Sequence, residues 1–301
     1  MKLSSALFSR RLRTLPLSLS GVVLGTMLAA ADFHINPWGV VFLFLTTVSL
    51  QILSNLSNEL GDTLSGTDGP DREGPMYSLQ SGGMTVRGLK GLIALFIVVS
   101  CIFGLAMLRA SFGTLWCLDS ICFMLLGAGA IWAAMRYTLG KNPYGYRGLG
   151  DFYVFVFFGL VTVLGAYLIG AHTLKNWTLL LPACSIGCFS VGVLNVNNIR
   201  DMESDARTRT TVAIRLGERY AKIYQTVLIV LGWACMVTYC LLRFPDPWHW
   251  LFVLTLPLYV LHLRGVWRRS GRELDPMLPL LVLSTFAFAL LGGLGFLVYL
   301  W

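Results

Sequence analysis

The chain has 301 residues, 56% of them hydrophobic and only 13% charged, with a mean hydropathy of +0.70. Soluble domains carry about 25% charged residues, so this composition excludes an ordinary water-soluble enzyme and a disordered tail alike. The net charge of +8 could suggest nucleic acid, but the basic residues fall between apolar runs, a distribution that points to a lipid bilayer as partner and to no nucleic acid.

Hydropathy predicts nine membrane-spanning helices, at about 15–32, 37–57, 89–108, 112–135, 151–171, 177–199, 220–242, 247–267 and 276–300. Each approaches the length that crosses a hydrocarbon core. Residues 1–14 are basic, and 15–31 reads as the first span, not as a short h-region with a cleavage site, so no cleavable signal peptide is expected. Pro16 suits a first helical turn, and Pro37, Pro143 and Pro276 stand at or near junctions, where a missing N–H costs little. The seven cysteines lie inside apolar runs without zinc or disulfide spacing and read as small packing residues.

Lys and Arg divide unevenly between the connections. Twenty of the 23 fall in the N-terminal tail and the loops after spans two, four, six and eight; only Arg109, Lys175 and Arg243 fall on the other side. The positive-inside rule then places the N-terminus in the cytoplasm. The acids divide likewise, with only Asp32, Asp119 and Asp246 on the outer side. The fold expected is therefore all-α: a polytopic membrane protein of nine transmembrane helices, one domain over residues 1–301.

Two cytoplasmic loops, about 58–88 and 195–219, are longer than connection needs. The second contains Asn198, Asp201 and Asp205, spaced so that a continuing helix would put them on one face. The first, just after Asn55, contains Asn58 and Asp62, which continue the same kind of stripe, with Asp68 and Asp71 further on. Like charges so close repel unless a cation lies between them, and a hard ion such as Mg²⁺ takes oxygen ligands while sharing substrate phosphates. Asn58, Asp62, Asp68, Asp71, Asp201 and Asp205 are the candidate ligands. Arg72, Arg200, Arg207 and Arg209 are interleaved with them, and guanidinium groups bind phosphate oxygens bidentately. One such patch alone would be a solvated helix end; two with matching spacing, each closing a long apolar run, describe a site for a metal-bridged polyphosphate.

These strings carry a resemblance. Asn58-x-x-x-Asp62 with Asp68 and Asp71, together with Asp201-x-x-x-Asp205, resembles the paired aspartate motifs of the UbiA superfamily of intramembrane aromatic prenyltransferases. Arg13-Thr14-Leu15-Pro16, Tyr146-Arg147-Gly148-Leu149-Gly150-Asp151, Asn197-Asn198-Ile199-Arg200-Asp201 and Arg215-Leu216-Gly217-Glu218 are similar to its 1,4-dihydroxy-2-naphthoate polyprenyltransferase branch. The resemblance implies helices around a central cavity and Mg²⁺-dependent transfer of a polyprenyl group from its diphosphate to 1,4-dihydroxy-2-naphthoate. The acceptor loses its carboxylate, and the product is of the demethylmenaquinone type. It implies an integral protein of the bacterial inner membrane whose site faces the cytoplasm. Asp62, Asp201 and Asp205 would be catalytic, while Asn55, Asn58, Arg72, Asn198, Arg200, Arg207 and Arg209 would bind the donor. Arg147 would meet the acceptor carboxylate. Glu59 departs from the family's usual Asp, and Arg209 stands near a usual Lys.

The chemistry fits these residue types. Breaking the donor's C1–O bond throws negative charge onto diphosphate, where cations stabilise it. The allylic cation needs a dry cavity with aromatic faces; Tyr137, Tyr144, Tyr146, Tyr153 and Trp132 lie at about the right level, where packing or an interfacial belt would also explain them. Other readings stay open: a different aromatic acceptor, or a divalent-cation transporter. The latter normally needs ionisable groups at mid-depth, where only Asp119 is a candidate.

Overall fold

A computed structural model describes residues 14–66, 78–79, 83–174, 176–243 and 246–298. Among these are nine helices long and apolar enough to cross a membrane: α1 (Leu15–Asp32), α2 (Pro37–Leu64), α3 (Val86–Phe112), α4 (Leu118–Arg136), α5 (Gly150–Ala171), α6 (Trp177–Arg200), α7 (Glu218–Leu242), α8 (Pro247–Arg268) and α9 (Gly271–Val298). No strand occurs among the described residues. The expected number and order hold. The largest boundary change is at α2, which continues past the predicted 57 to Leu64. Its polar last turns depress hydropathy, yet Leu53, Leu56 and Leu60 keep a buried helical stripe running beneath them.

Local chemistry sets the ends. The Asn36 side chain accepts from the Trp38 N–H at 3.0 Å, and Pro37 takes the first helical position of α2. Thr85 caps α3 by accepting from Gly88 N–H at 3.1 Å, and α3 stops at Gly113, whose φ of +69° is left-handed. Within α5, residues Phe155–Val161 are wound as a π-helix, and the first half of α8, Pro247–Thr255, is 3₁₀. Such departures re-aim side chains and collect at functional sites.

Two layers form. α6 is the innermost helix, packed by α1, α5, α7 and α9. Its small residues allow close approach: a Cβ at Gly159 of α5 would lie 2.5 Å from the Cα of Gly187 of α6. Around it, Phe189, Trp233, Phe252, Tyr259 and Phe288 form one aromatic cluster. The other layer is α2 paired with α3, with α4 leaning on both. α4 is apolar around its circumference and the least buried of the nine spans, as a helix solvated by lipid can be. Between the two layers lies the central cavity.

At the end away from the acidic patches, α1 and α7 are tied together. Arg243 donates to both oxygens of Asp32, at 2.6 and 3.2 Å, and to Tyr239 Oη at 3.0 Å, while Tyr167 Oη donates to Asp32 at 2.8 Å. Burial works against the Arg243 charge, but Asp32 outweighs it and leaves the guanidinium more basic than usual. The cysteines divide: Cys188 and Cys240 are buried packing residues, whereas Cys101 and Cys122 are exposed. Packing therefore does not account for those two.

Candidate active site

The end of α2 carries Asn55, Asn58 and Asp62 on successive turns of one helix, as their spacing predicts. Asn55 and Gln51 both donate to Thr14 Oγ1, at 3.4 and 3.1 Å, which ties this face to the start of α1. Asp62 is buried and accepts a 2.9 Å hydrogen bond from Tyr146 Oη. Tyr146 reaches it because the turn after α4 lies directly on α2. A Cβ at Gly61 would fall 2.4 Å from Thr138 Cβ, so only glycine permits that approach. Thr138 Oγ1 seals the contact by donating to Ser57 O at 2.9 Å. Glu59, one residue past Asn58, is rotated about 100° around the helix and is 3% exposed. It accepts from Ser78 Oγ and from Leu79 N–H at 3.0 Å, so it anchors the returning chain and does not line the cavity.

The end of α6 is built differently. The helix stops at Arg200 and a short helix, Met202–Asp205, follows. Helical bonding is kept across the junction: Asp201 N–H donates to Asn197 O at 3.1 Å and Asp205 N–H to Asp201 O at 2.8 Å. The two carboxylates therefore remain one turn apart. Each is the counter-ion of an arginine. Arg200 grips Asp201 through Nε at 2.8 Å and Nη2 at 2.6 Å, and also donates to Asn197 at 2.9 Å and Asp275 at 2.8 Å. Arg209 pairs with Asp205 and stands 6.0 Å from the Tyr146 ring centroid.

Arg209 joins the two patches electrostatically. Burial works to lower its basicity, but the charges of Asp205 and Asp62 together hold it above the ordinary guanidinium range. Tyr137 shows the opposite balance. Burial raises its phenol strongly despite the nearby Arg209 charge, so it stays protonated at physiological pH.

Both patches open onto one cavity of about 960 Å³. Asn55, Asn58 and Asp62 line it from α2, and Asn197, Asn198 and Arg200 from α6, with Arg209 beside them. Asp201 and Asp205 are not on its wall; they stand behind their arginines, 1% and 2% exposed. Beyond the polar end the lining is apolar and aromatic. Tyr144 stacks on Tyr153 with ring centroids 3.9 Å apart, Tyr137 meets Tyr144 edge-on at 5.4 Å, and Tyr153 is parallel to Phe157 at 6.3 Å. The π-helical winding of α5 supplies Phe157, Phe158 and Val161 to this wall.

Other residues singled out by sequence are placed less centrally. Arg147 and Arg207 are exposed and do not line the cavity. The geometry therefore does not bring Arg147 to a bound acceptor; its backbone carbonyl instead accepts from Arg215. Asp68, Asp71 and Arg72 lie outside the described residues. Conversely, sequence reading passed over Asp275, which lines the cavity and holds Arg200, and the bond from Tyr146 to Asp62. Asp275 precedes Pro276 at the start of a span, a weak signal; nothing local in sequence pairs it with Arg200.

No group of three or more His, Cys, Asp or Glu side chains arranged for a metal occurs among the described residues. The polar end does suit a hard cation shared with phosphate, because its acidic and amide donors are all oxygens and no histidine lines the cavity.

The UbiA prenyltransferase family profile matches residues 18–286. The 1,4-dihydroxy-2-naphthoate octaprenyltransferase of Escherichia coli K12 is 40% identical over 96% of this chain and 92% of its own length. Enzymes of that description from Haemophilus influenzae and Mycobacterium tuberculosis are 35% and 37% identical, over 96% and 95% of the chain and 94% and 95% of their own lengths. Among solved structures, a UbiA homolog from Aeropyrum pernix K1 superposes with a TM-score of 0.70 at 14% identity, covering 99% of this chain and all of that one.

Proposed function

The chain belongs to the UbiA prenyltransferase family, and from that premise we propose that it transfers a polyprenyl group from polyprenyl diphosphate to 1,4-dihydroxy-2-naphthoate, with loss of the acceptor's carboxylate. The observation that carries the reading is the single cavity with Asp62 and Asn58 on one side of its polar end and Arg200 and Arg209 on the other. Residues 1–301 act as one catalytic domain.

The diphosphate sits at the polar end, its oxygens met by Arg200 and Arg209, and the prenyl chain runs into the apolar lining. Asp201, Asp205 and Asp275 hold these guanidinium groups in place, so the donors are oriented before substrate arrives and lose little freedom on binding. Mg²⁺, when bound, would neutralise the diphosphate and favour its departure, and Asn58 and Asp62 are the oxygen donors on the cavity wall that would hold it, Asp201 and Asp205 being engaged by their arginines. Tyr146 keeps the Asp62 carboxylate aimed inward.

As the C1–O bond breaks, its electron pair leaves with diphosphate and positive charge develops at the allylic carbon. Tyr144, Tyr153 and Phe157 line the apolar, aromatic stretch of the cavity, where their π-electrons would stabilise that charge. The acceptor ring carbon supplies the electron pair of the new C–C bond, and the carboxylate departs as carbon dioxide. The polar end of the cavity belongs to the same end of the bundle as most basic residues, so the reading places it at the cytoplasmic face, in a bacterial host at the inner membrane.

Purified protein with Mg²⁺, prenyl diphosphates and a panel of aromatic acids, read by product mass, tests this. Prenylated, decarboxylated product from dihydroxynaphthoate is expected. Turnover of 4-hydroxybenzoate in its place would move the protein to another acceptor, and no diphosphate release with any pair would end the reading.

A further inference from the structure

The central cavity has a neighbour. A smaller cavity of about 260 Å³ lies between α4 and α5 toward the opposite end of the bundle, walled by Asp119, Cys122, Leu160, Leu164, Leu168 and Leu174. Phe123, Leu126, Val161 and Gly165 line both cavities. One layer of side chains therefore separates them, and it is thin at Gly165, where a Cβ would first meet Phe123 Cε1 at 3.6 Å.

We propose that the smaller cavity receives the distal isoprene units of a long donor, making Cys122 and its neighbours on α4 and α5 determinants of prenyl chain length. This rests on the prenyl-diphosphate reading above. With the donor's head at the polar end, the lining residues of α4 offer its tail a path toward the smaller cavity. From Ala134 beside that end to Asp119 the helix is about 22 Å long, and the lining residues follow it throughout: Ile131, Gly127 and Phe123 in the first cavity, then Cys122 in the second. The chemistry of the far walls selects the occupant. Among the described residues their only charge is Asp119, which repels an anion, while the leucines favour a hydrocarbon withdrawn from water. Long donors reach this space; short ones end in the first cavity.

Two exposed thiols report the two spaces separately, since Cys101 lines the first cavity and Cys122 the second. Detergent-solubilised full-length protein is labelled with N-ethylmaleimide in the presence of farnesyl or octaprenyl diphosphate, and each cysteine is followed by mass spectrometry. At donor concentrations about ten times Kd, occupancy protects about tenfold. Farnesyl diphosphate should protect Cys101 alone, and octaprenyl diphosphate both. Equal Cys122 labelling under the two donors, with Cys101 protected, overturns the inference and leaves the smaller cavity to bilayer acyl chains. Failure of either donor to protect Cys101 instead removes the prenyl-diphosphate reading itself. In turnover, Cys122→Trp should lower kcat/KM about tenfold for octaprenyl relative to farnesyl diphosphate, about 1.4 kcal/mol of lost selectivity. An equal loss for both donors counts against the inference.

Discussion

The ends of α2 and α6 share a spacing and differ in what balances their charge. Asp62 is buried on the cavity wall, with a tyrosine hydroxyl donating to it. Asp201 and Asp205 are buried behind the wall, each against an arginine. Burying a carboxylate is costly unless it is paired, and the two sites meet that cost in different ways. The α2 end presents negative charge and amide oxygen to the cavity and suits a cation. The α6 end presents guanidinium and suits an anion. A metal diphosphate carries both, and the two halves complement its two parts.

The largest expected effect follows from breaking the α2 half. Asp62→Asn keeps size and a hydrogen bond from Tyr146 but removes the charge, and should lower kcat about 10³-fold, as loss of a key electrostatic stabiliser does. Because no arginine is left unpaired beside it, the melting temperature should stay within a few degrees; a large drop would show Asp62 to be structural.

Breaking the α6 half should look different. Arg209→Met removes a phosphate donor and takes the guanidinium away from the buried Asp205, so turnover should fall about 10²-fold and stability by up to about 3 kcal/mol. Denaturation of purified protein separates the two effects, and a variant that loses activity without loss of stability would contradict the pairing described.

A finer test asks how Asp62 is aimed. Tyr146→Phe deletes one hydrogen bond to a charged group, worth about 1.5–3 kcal/mol. The expected result is a tenfold or greater fall in kcat/KM together with a raised Mg²⁺ requirement. An unchanged Mg²⁺ dependence would leave Tyr146 with its hydrogen bond to Ser65 and a structural role.

The smallest effect is expected at Asp275. Its side chain is 44% exposed, and Arg200 retains Asp201 and Asn197 as partners. Asp275→Asn should therefore change kcat/KM only about two- to threefold, in keeping with a partly solvated ion pair. A loss as large as that of Asp62→Asn would make it a second essential acid.

Much of this was readable from the chain. Length and apolarity alone specify nine spans, because a helix that must satisfy its own backbone in lipid cannot be much shorter. The stripe of Asn55, Asn58 and Asp62 follows from helical periodicity, which needs no partner. What sequence could not decide is which groups meet across the bundle. Spacing made Asp201 and Asp205 look like Asp62, yet Arg200 and Arg209 neutralise them, and that depends on where the chain turns after α6. Arg147, in a string that pointed to the acceptor, lies exposed, and Asp275, in no motif, reaches the cavity. Helix formation is a local matter of hydrogen bonds and lipid; the cavity walls, the Tyr146–Asp62 bond and the Arg200–Asp275 pair join residues far apart in sequence, and only packing brings those together.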